Sequence, residues 1–457
     1  MTSRAVLQHQ WERLRHALLK ERPEPLEGVD PYPDEDVLTM LRQLGIAMIE
    51  TGQPTNLVES QLRAIGLAYT GHEVRVLVFP TYLIVQLDSP LQTKTQVDEP
   101  SWAVARLDQA GEVDTLVKLA KARAATPAEV TARTKAARGW APRFGAFTTV
   151  LGHTLLTIGF GLALQPTWAS LPAYALLGLV VGMLLLLGRW LPSVAIMLPP
   201  IAATLVTVLT TWYLAEAAGD GLLRVLAPAL VSVLPGVTLT IGAVELTSTQ
   251  VISGSTRLMY GAAQLLLLAL GVAVGVRIAG PLSQHRGPLG ALPAHGGLGA
   301  WAPCLGAVVA AVGFYLYKSA PKGSLPAIAA TMLVALVGQQ LGGTYVDPLL
   351  AGFLGALVTV PFAQLIGRFR GAPPPMVLLI AAFWFLVPGA LSFVNVGEVV
   401  TTGGVAALSQ PGVGGARALL SAVVAIFSIA LGMLHGWGVD YAGVSLARLW
   451  RARFRST

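Results

Sequence analysis

A single cysteine, Cys304, in 457 residues leaves no partner for an internal disulfide and no thiolate cluster for a metal. Charge is scarce too: 12% of residues are Asp, Glu, Lys or Arg, against 54% hydrophobic residues. The scarcity is uneven. Residues 1–143 hold 17 Lys+Arg and 18 Asp+Glu, leaving 14 and 6 for residues 144–457, so the chain divides into two stretches suited to two solvents. The net charge of +7 therefore belongs to the second stretch, where basic loop residues face lipid headgroups, and it gives no hint of nucleic acid. The charge-rich first stretch also lacks a Gly-rich phosphate loop, a nucleophile elbow and a His-Glu metal helix, so enzymatic chemistry is unsupported there and neither an enzyme nor a cofactor is expected. Residues 4–20 carry charges throughout and lack the uninterrupted apolar core of a secretory signal, which predicts a cytoplasmic amino terminus.

What the second stretch has is long apolar runs of roughly 18 to 24 residues, the length that a bilayer-spanning helix needs. Ten can be placed, near 145–164, 169–187, 193–215, 222–246, 257–279, 300–317, 324–341, 346–366, 374–397 and 413–436. Two of them are interrupted in the same way. Val233-Leu-Pro-Gly236 is followed by Glu245, and Leu386-Val-Pro-Gly389 by Glu398, each acid ten residues after its proline. Proline removes a backbone donor and glycine frees the next dihedral, so a helix passing Pro235-Gly236 or Pro388-Gly389 is expected to break. Broken backbone at membrane depth is tolerated where it is buried in protein or lines a cavity, which is where transporters hold their substrates. A plain kink is the structural alternative.

Further matches keep the same order. Ser170-Leu-Pro-Ala173 recurs as Ser324-Leu-Pro-Ala327; Pro172 to Pro235 is 63 residues and Pro326 to Pro388 is 62. Arg257, before the fifth span, is matched by Arg417 before the tenth after a seven-residue insertion. This predicts an internal duplication of five spans. An odd number of spans inverts the second copy in the membrane. With the amino terminus inside, the segments between spans and the tail place ten Lys+Arg on the cytoplasmic side and four outside, as the positive-inside rule requires.

The first stretch reads as a small α+β unit. Leu7, Trp11, Leu14 and Leu18 mark a basic amphipathic helix suited to anionic lipid or to packing on the domain after it, and prolines to Pro33 make a linker. Val37, Leu41, Leu44 and Met48 stripe one helix; Asn56 and Glu59 offer a capping box to a second, ending near Tyr69. Val74–Val78 and Tyr82–Leu87 read as strands, Asp88–Glu99 as a loop, Trp102–Leu107 as a third strand, and Val113–Arg138 as two helices broken at Thr126-Pro127. The predicted organisation is an amphipathic helix and linker (1–33), a cytoplasmic α+β domain (34–143), a first membrane repeat (144–280), an external linker (281–299), a second repeat (300–437) and a basic cytoplasmic tail (438–457).

Candidate pathway residues are Pro235, Gly236, Thr238 and Glu245 in the first repeat and Pro388, Gly389, Asn395 and Glu398 in the second. Thr238, Gly242 and Glu245 share one helix face, and Asn395 and Glu398 the equivalent face; interhelical hydrogen bonding is the bland reading for them. His153 is a candidate proton relay or a helix-packing histidine. Thr204, Thr207 and Thr211 stripe the third span and can equally bond their own helix. His285 and His295 lack further ligands for a metal, and Glu59 and Asp114 are the acids of interest in the amino-terminal unit.

The chain resembles the threonine/serine exporter family, whose members carry a cytoplasmic amino-terminal domain and ten spans in two halves, each with a Pro-Gly motif. The resemblance runs over residues 35–437. It is carried by Thr55-Asn-Leu-Val-Glu59, the strands around Pro80-Thr81, Val113-Asp114 with Leu116, Leu234-Pro-Gly236, Ser253-Gly254 with Arg257-Leu258, and Val387-Pro-Gly389. The family often has Arg where this chain has Leu57 and Asp where it has Glu245. The resemblance implies a secondary exporter of threonine, serine or a similar small amino acid, multi-pass in the plasma or inner membrane with both termini cytoplasmic. Without a Walker motif, coupling to an ion gradient, most simply protons, is expected. Alternatives are a membrane-anchored sensor or enzyme whose soluble domain carries the activity, and a transporter of another small zwitterion or organic acid. Homo-oligomerisation is left open.

Overall fold

The computed structural model describes residues 20, 23–26, 32–88, 93–101, 105–164, 167–168, 170–214, 222–280, 298–386 and 420–438. Over these residues the chain is mainly helical, with one three-stranded sheet and two principal hydrophobic cores.

The first core is built by the amino-terminal part. Helix α1 (Asp34–Glu50) opens on Asp34, Glu35 and Asp36, which suit the positive end of its dipole, and buries Val37, Leu41, Leu44 and Met48 as expected. Helix α2 (Thr55–Thr70) ends at Gly71, whose φ of 70° is the left-handed cap that glycine tolerates. Strands β1 (Val74–Val78) and β2 (Leu83–Asp88) form an antiparallel hairpin with Val76 opposite Val85. Their alternation turns Val74, Val76, Val78, Leu83, Val85 and Leu87 onto the two helices.

Two expectations need correcting here. The loop expected over Asp88–Glu99 contains a third strand, β3 (Thr93–Asp98), antiparallel to β2. Its sequence Thr-Lys-Thr-Gln-Val-Asp lacks apolar alternation because neither face is fully buried. It is an edge strand held by the ladder and by Arg42, which donates to Gln96 at 3.0 Å and pairs with Asp98. The strand expected over Trp102–Leu107 is absent from its described residues, because Leu107 opens helix α3 (Leu107–Lys121). Gln109 accepts from the Arg106 N–H at 2.8 Å, starting the helix there; residues 102–104 lie outside the described set. Helix α4 (Pro127–Arg138) begins as predicted, with Thr126 accepting from the Glu129 N–H and Pro127 in the first turn.

The second core is built by α5 (Ala146–Leu164), α6 (Ser170–Trp190), α7 (Pro192–Tyr213), α8 (Leu222–Leu230), α9 (Gly236–Thr247), α10 (Val251–Ala279), α11 (Ala302–Tyr317), α12 (Leu325–Tyr345), α13 (Ala351–Ile366), α14 (Pro375–Leu386) and α15 (Leu420–Gly438). Five of these, α5, α6, α10, α12 and α15, are long and apolar enough to cross a membrane. The segment Met197–Tyr213 and helices α9, α11, α13 and α14 are shorter and apolar. Helices α5 and α11 cross backbone to backbone: a Cβ on Gly152 would lie 2.6 Å from the Tyr317 nitrogen, and one on Gly306 2.6 Å from the Gly159 oxygen. Small residues at such crossings let helices approach where lipid supplies no hydrophobic drive.

The amino-terminal part docks on one end of this bundle. The Leu107 N–H donates to Lys318 O at 3.1 Å, Arg143 donates to Ala320 O, and the Lys20 ammonium donates to Ala372 O at 2.7 Å. Lys318, Ala320 and Ala372 lie in the turns after α11 and α13. The remainder of the predicted amphipathic helix over residues 4–20, the linker over 281–297 with His285 and His295, and the basic tail lie outside the described residues.

Candidate functional site

The apolar run near 222–246 is two helices. α8 ends at Leu230, the chain turns through residues 231–234, and α9 restarts at Gly236 with Pro235 as its N-cap. Proline can occupy that position because the missing N–H is one a helix start leaves unpaired. Among the described residues no side chain caps α9, and the N–H groups of Gly236, Val237 and Thr238, in its first turn, have no intrahelical acceptor.

These three residues line a cavity of about 1070 Å³ that opens between the amino-terminal part and the helical bundle. Its walls come from both. Pro54, Leu57 and the Phe79–Tyr82 turn contribute on one side; Val231–Thr238, Tyr317, Phe383, Trp384 and Trp437 contribute on the other. Among the described residues, its charged lining residues are Arg189, Arg257, Lys318 and Glu50. Glu50 is already engaged, accepting from Arg138 at 2.6 and 2.8 Å and from the Ser101 N–H at 2.8 Å. The Lys318 ammonium lies 5.0 Å from the Trp384 ring centroid and 5.3 Å from that of Tyr317, a cation–π setting. The cavity is therefore apolar and aromatic with a cationic bias, a lining suited to a small anionic group with an apolar remainder.

Glu245 is fully buried and does not line the cavity. One oxygen accepts from Arg257 Nε at 3.0 Å and the other from the Thr55 N–H at 2.8 Å. Thr55 is the first residue of α2, so a carboxylate of the bundle serves as acceptor for that helix start. This corrects the capping box expected from Asn56 and Glu59: α2 has no side-chain cap of its own. Glu59 accepts instead from Gln250 at 3.2 Å and pairs with Arg63. Asp114 pairs with Lys118 at 2.7 Å. Glu245 and Arg257 meet because α9 and α10 cross closely: a Cβ on Gly254 would lie 2.6 Å from the Leu246 nitrogen and 2.7 Å from the Gly242 oxygen. The turn between the helices passes through Thr249 at φ 65°, a left-handed conformation uncommon for a β-branched residue.

His153 is buried beside the break. Its Nδ1 is 2.9 Å from the Gly178 carbonyl, which needs a donor, so in the neutral ring Nε2 accepts from the Ser232 hydroxyl at 2.9 Å. Ser232 lines the cavity just before Pro235, so this histidine holds the turn of the break. The threonine stripe packs rather than lines: Thr204 donates to Pro200 O and Gly271 O, both at 2.9 Å, and Thr207 to Ala203 O at 2.7 Å. Pro388, Gly389, Asn395 and Glu398 lie outside the described residues.

Sequence reading thus selected Pro235, Gly236 and Thr238, which the fold gathers at the cavity, and Glu245, which it places one layer behind. It did not single out Arg257, Lys318 or Ser232 as site residues. The available signal for Arg257 was a lone base twelve residues after a lone acid across a helix turn. The family model described as "Putative threonine/serine exporter" matches residues 39–279. No curated protein and no solved structure matches the chain.

Proposed function

The chain belongs to the threonine/serine exporter family, and from that premise we propose that it is a secondary transporter moving small polar amino acids, threonine and serine foremost, out of the cell. The observation that carries the reading is the cavity at the α8–α9 break. An uncapped half-helix start is a positive dipole end that suits a carboxylate, and carbonyls of the turn suit an ammonium. Pro235, Gly236 and Thr238 would form this station, with Pro388, Gly389 and Asn395 as the equivalents in the second half.

Ten spans in two inverted halves are part of the proposal. It is supported by the reciprocal crossing of α5 and α11, the first helix of each half, through Gly152 with Gly313 and Gly159 with Gly306. It is also supported by where the amino-terminal part docks. The turns it touches, after α9, α11 and α13, are the ones this scheme puts in the cytoplasm. The domain boundaries read from the sequence belong to the same proposal. Coupling to protons is assigned to Glu245 and Glu398, which inversion sets toward opposite faces.

The test is export of labelled threonine, serine and a few relatives from preloaded cells with and without the protein. Threonine and serine efflux should depend on the protein and fall when the proton gradient is collapsed. Identical efflux with and without it would overturn the reading.

A further inference from the structure

The Arg257 guanidinium is used on one edge only. Nε donates to Glu245, but the other Glu245 oxygen is committed to the Thr55 N–H, so the two-bond fork that a buried Arg–carboxylate pair usually forms is not completed. Arg257 Nη2 is buried without a hydrogen-bond partner among the described residues. Leaving a buried charged donor unmatched is costly, and an unmatched donor of this kind calls for an explanation. The side chain as a whole keeps 15% of its surface exposed and lines the cavity, while Nη2 itself lies beneath that surface. Two buried acceptors at the same junction, Thr55 Oγ1 and Asn56 Oδ1, are also without partners there.

The rest of the cavity favours an anion at this place. Among the described residues, Arg189 and Lys318 are its other cations, and Glu50, its one lining acid, is neutralised by Arg138. Glu245 lies nine residues along α9 from Gly236, about 13 Å of helix, so Arg257 stands at a second place in the same cavity, nearer the amino-terminal part than the half-helix start.

We propose that Arg257 is the cytoplasmic receptor for the carboxylate of the transported molecule, its unmatched Nη edge taking the anion before the α9 N-terminus does, while Glu245 competes for the same guanidinium. The ligand class is a small monocarboxylate; that it is an amino acid rests on the exporter reading above. Capture weakens the Arg257–Glu245 bond.

The experiment is equilibrium binding to the purified full-length protein in nanodiscs, using threonine, threoninamide and glycerate, with threonine flux measured in proteoliposomes. Threonine should bind at least tenfold more tightly than threoninamide. Arg257→Gln should lose at least tenfold in threonine affinity, and Arg257→Lys should fall between, keeping the charge without the planar fork. Glu245→Gln should bind threonine as tightly as the parent or about threefold more tightly, because the internal competitor is gone; a purely structural ion pair would instead make both partners' variants lose affinity together. Should Arg257→Gln fail to fold, the amide comparison and Glu245→Gln carry the test alone. Equal binding of threonine and threoninamide, unchanged affinity in folded Arg257→Gln, or no binding of any probe overturns the receptor. Threonine flux that persists in Arg257→Gln with unchanged affinity does so while leaving the exporter reading intact. Glycerate binding that depends on Arg257, without threonine binding or flux, upholds the receptor and overturns the amino-acid reading.

Discussion

Tyr69 shows how one buried hydroxyl reports on the amino-terminal core. Its hydroxyl donates to Ala125 O, tying the end of α2 to the segment before α4, and the residue is 2% exposed. Burial, with Tyr32 adding to it, pushes the phenol up to about 12 from its ordinary 10. The folded state therefore holds this proton more tightly than the unfolded chain, so the contribution is fully present below pH 10 and is lost as pH rises toward 12. Unfolding of the full-length protein followed against pH should show a loss of stability across that window that Tyr69→Phe lacks. At neutral pH the same variant should be about 1 kcal/mol less stable through the missing hydrogen bond. Glu245 makes a different point at this scale: its ion pair lies between adjacent helices, but its second partner, Thr55, is 190 residues away.

At the scale of elements the α8–α9 break decides what the cavity contains. Replacing Pro235-Gly236 with Ala-Ala would restore a donor and a strong helix former at the gap. The turn would then tend to continue as helix, withdrawing the N–H groups of Gly236, Val237 and Thr238 from the cavity. Export should fall at least tenfold while membrane insertion, judged by protein level in the membrane fraction, persists. Undiminished export would reduce the motif to a kink. The α9–α10 pair is a second such element, since the Gly242–Gly254 approach leaves no room for a side chain without separating Glu245 from Arg257.

For the whole molecule the inverted scheme makes a simple statement about sidedness. The amino-terminal part reaches the bundle at Gln250, Lys318, Ala320 and Ala372, so these turns share one side. Reporter fusions after residues 140, 320 and 440 should read cytoplasmic and one near residue 290 external. A cytoplasmic reading near 290 would require an even number of spans before it and would overturn the five-plus-five arrangement. Lys+Arg counts favour the predicted outcome, because basic loops resist translocation.

The sequence by itself determined those features whose cause is local. Apolar run length marked the five helices long and apolar enough to cross a membrane, alternation marked the β1–β2 hairpin, Thr126-Pro127 marked a helix start, and Pro235-Gly236 marked a break, because each depends on torsions and burial within a few residues. It could not announce β3, an edge strand with no buried face to imprint a period, nor the helix start at Leu107, which a Gln109 side chain fixes. The tertiary structure alone decided what the acids do. A carboxylate in an apolar run looks the same in sequence whether it meets solvent, substrate or another helix. Only the approach of α9 to α10, and of α2 to both, gave Glu245 an arginine on one oxygen and a helix start on the other, leaving Arg257 half matched at the cavity wall.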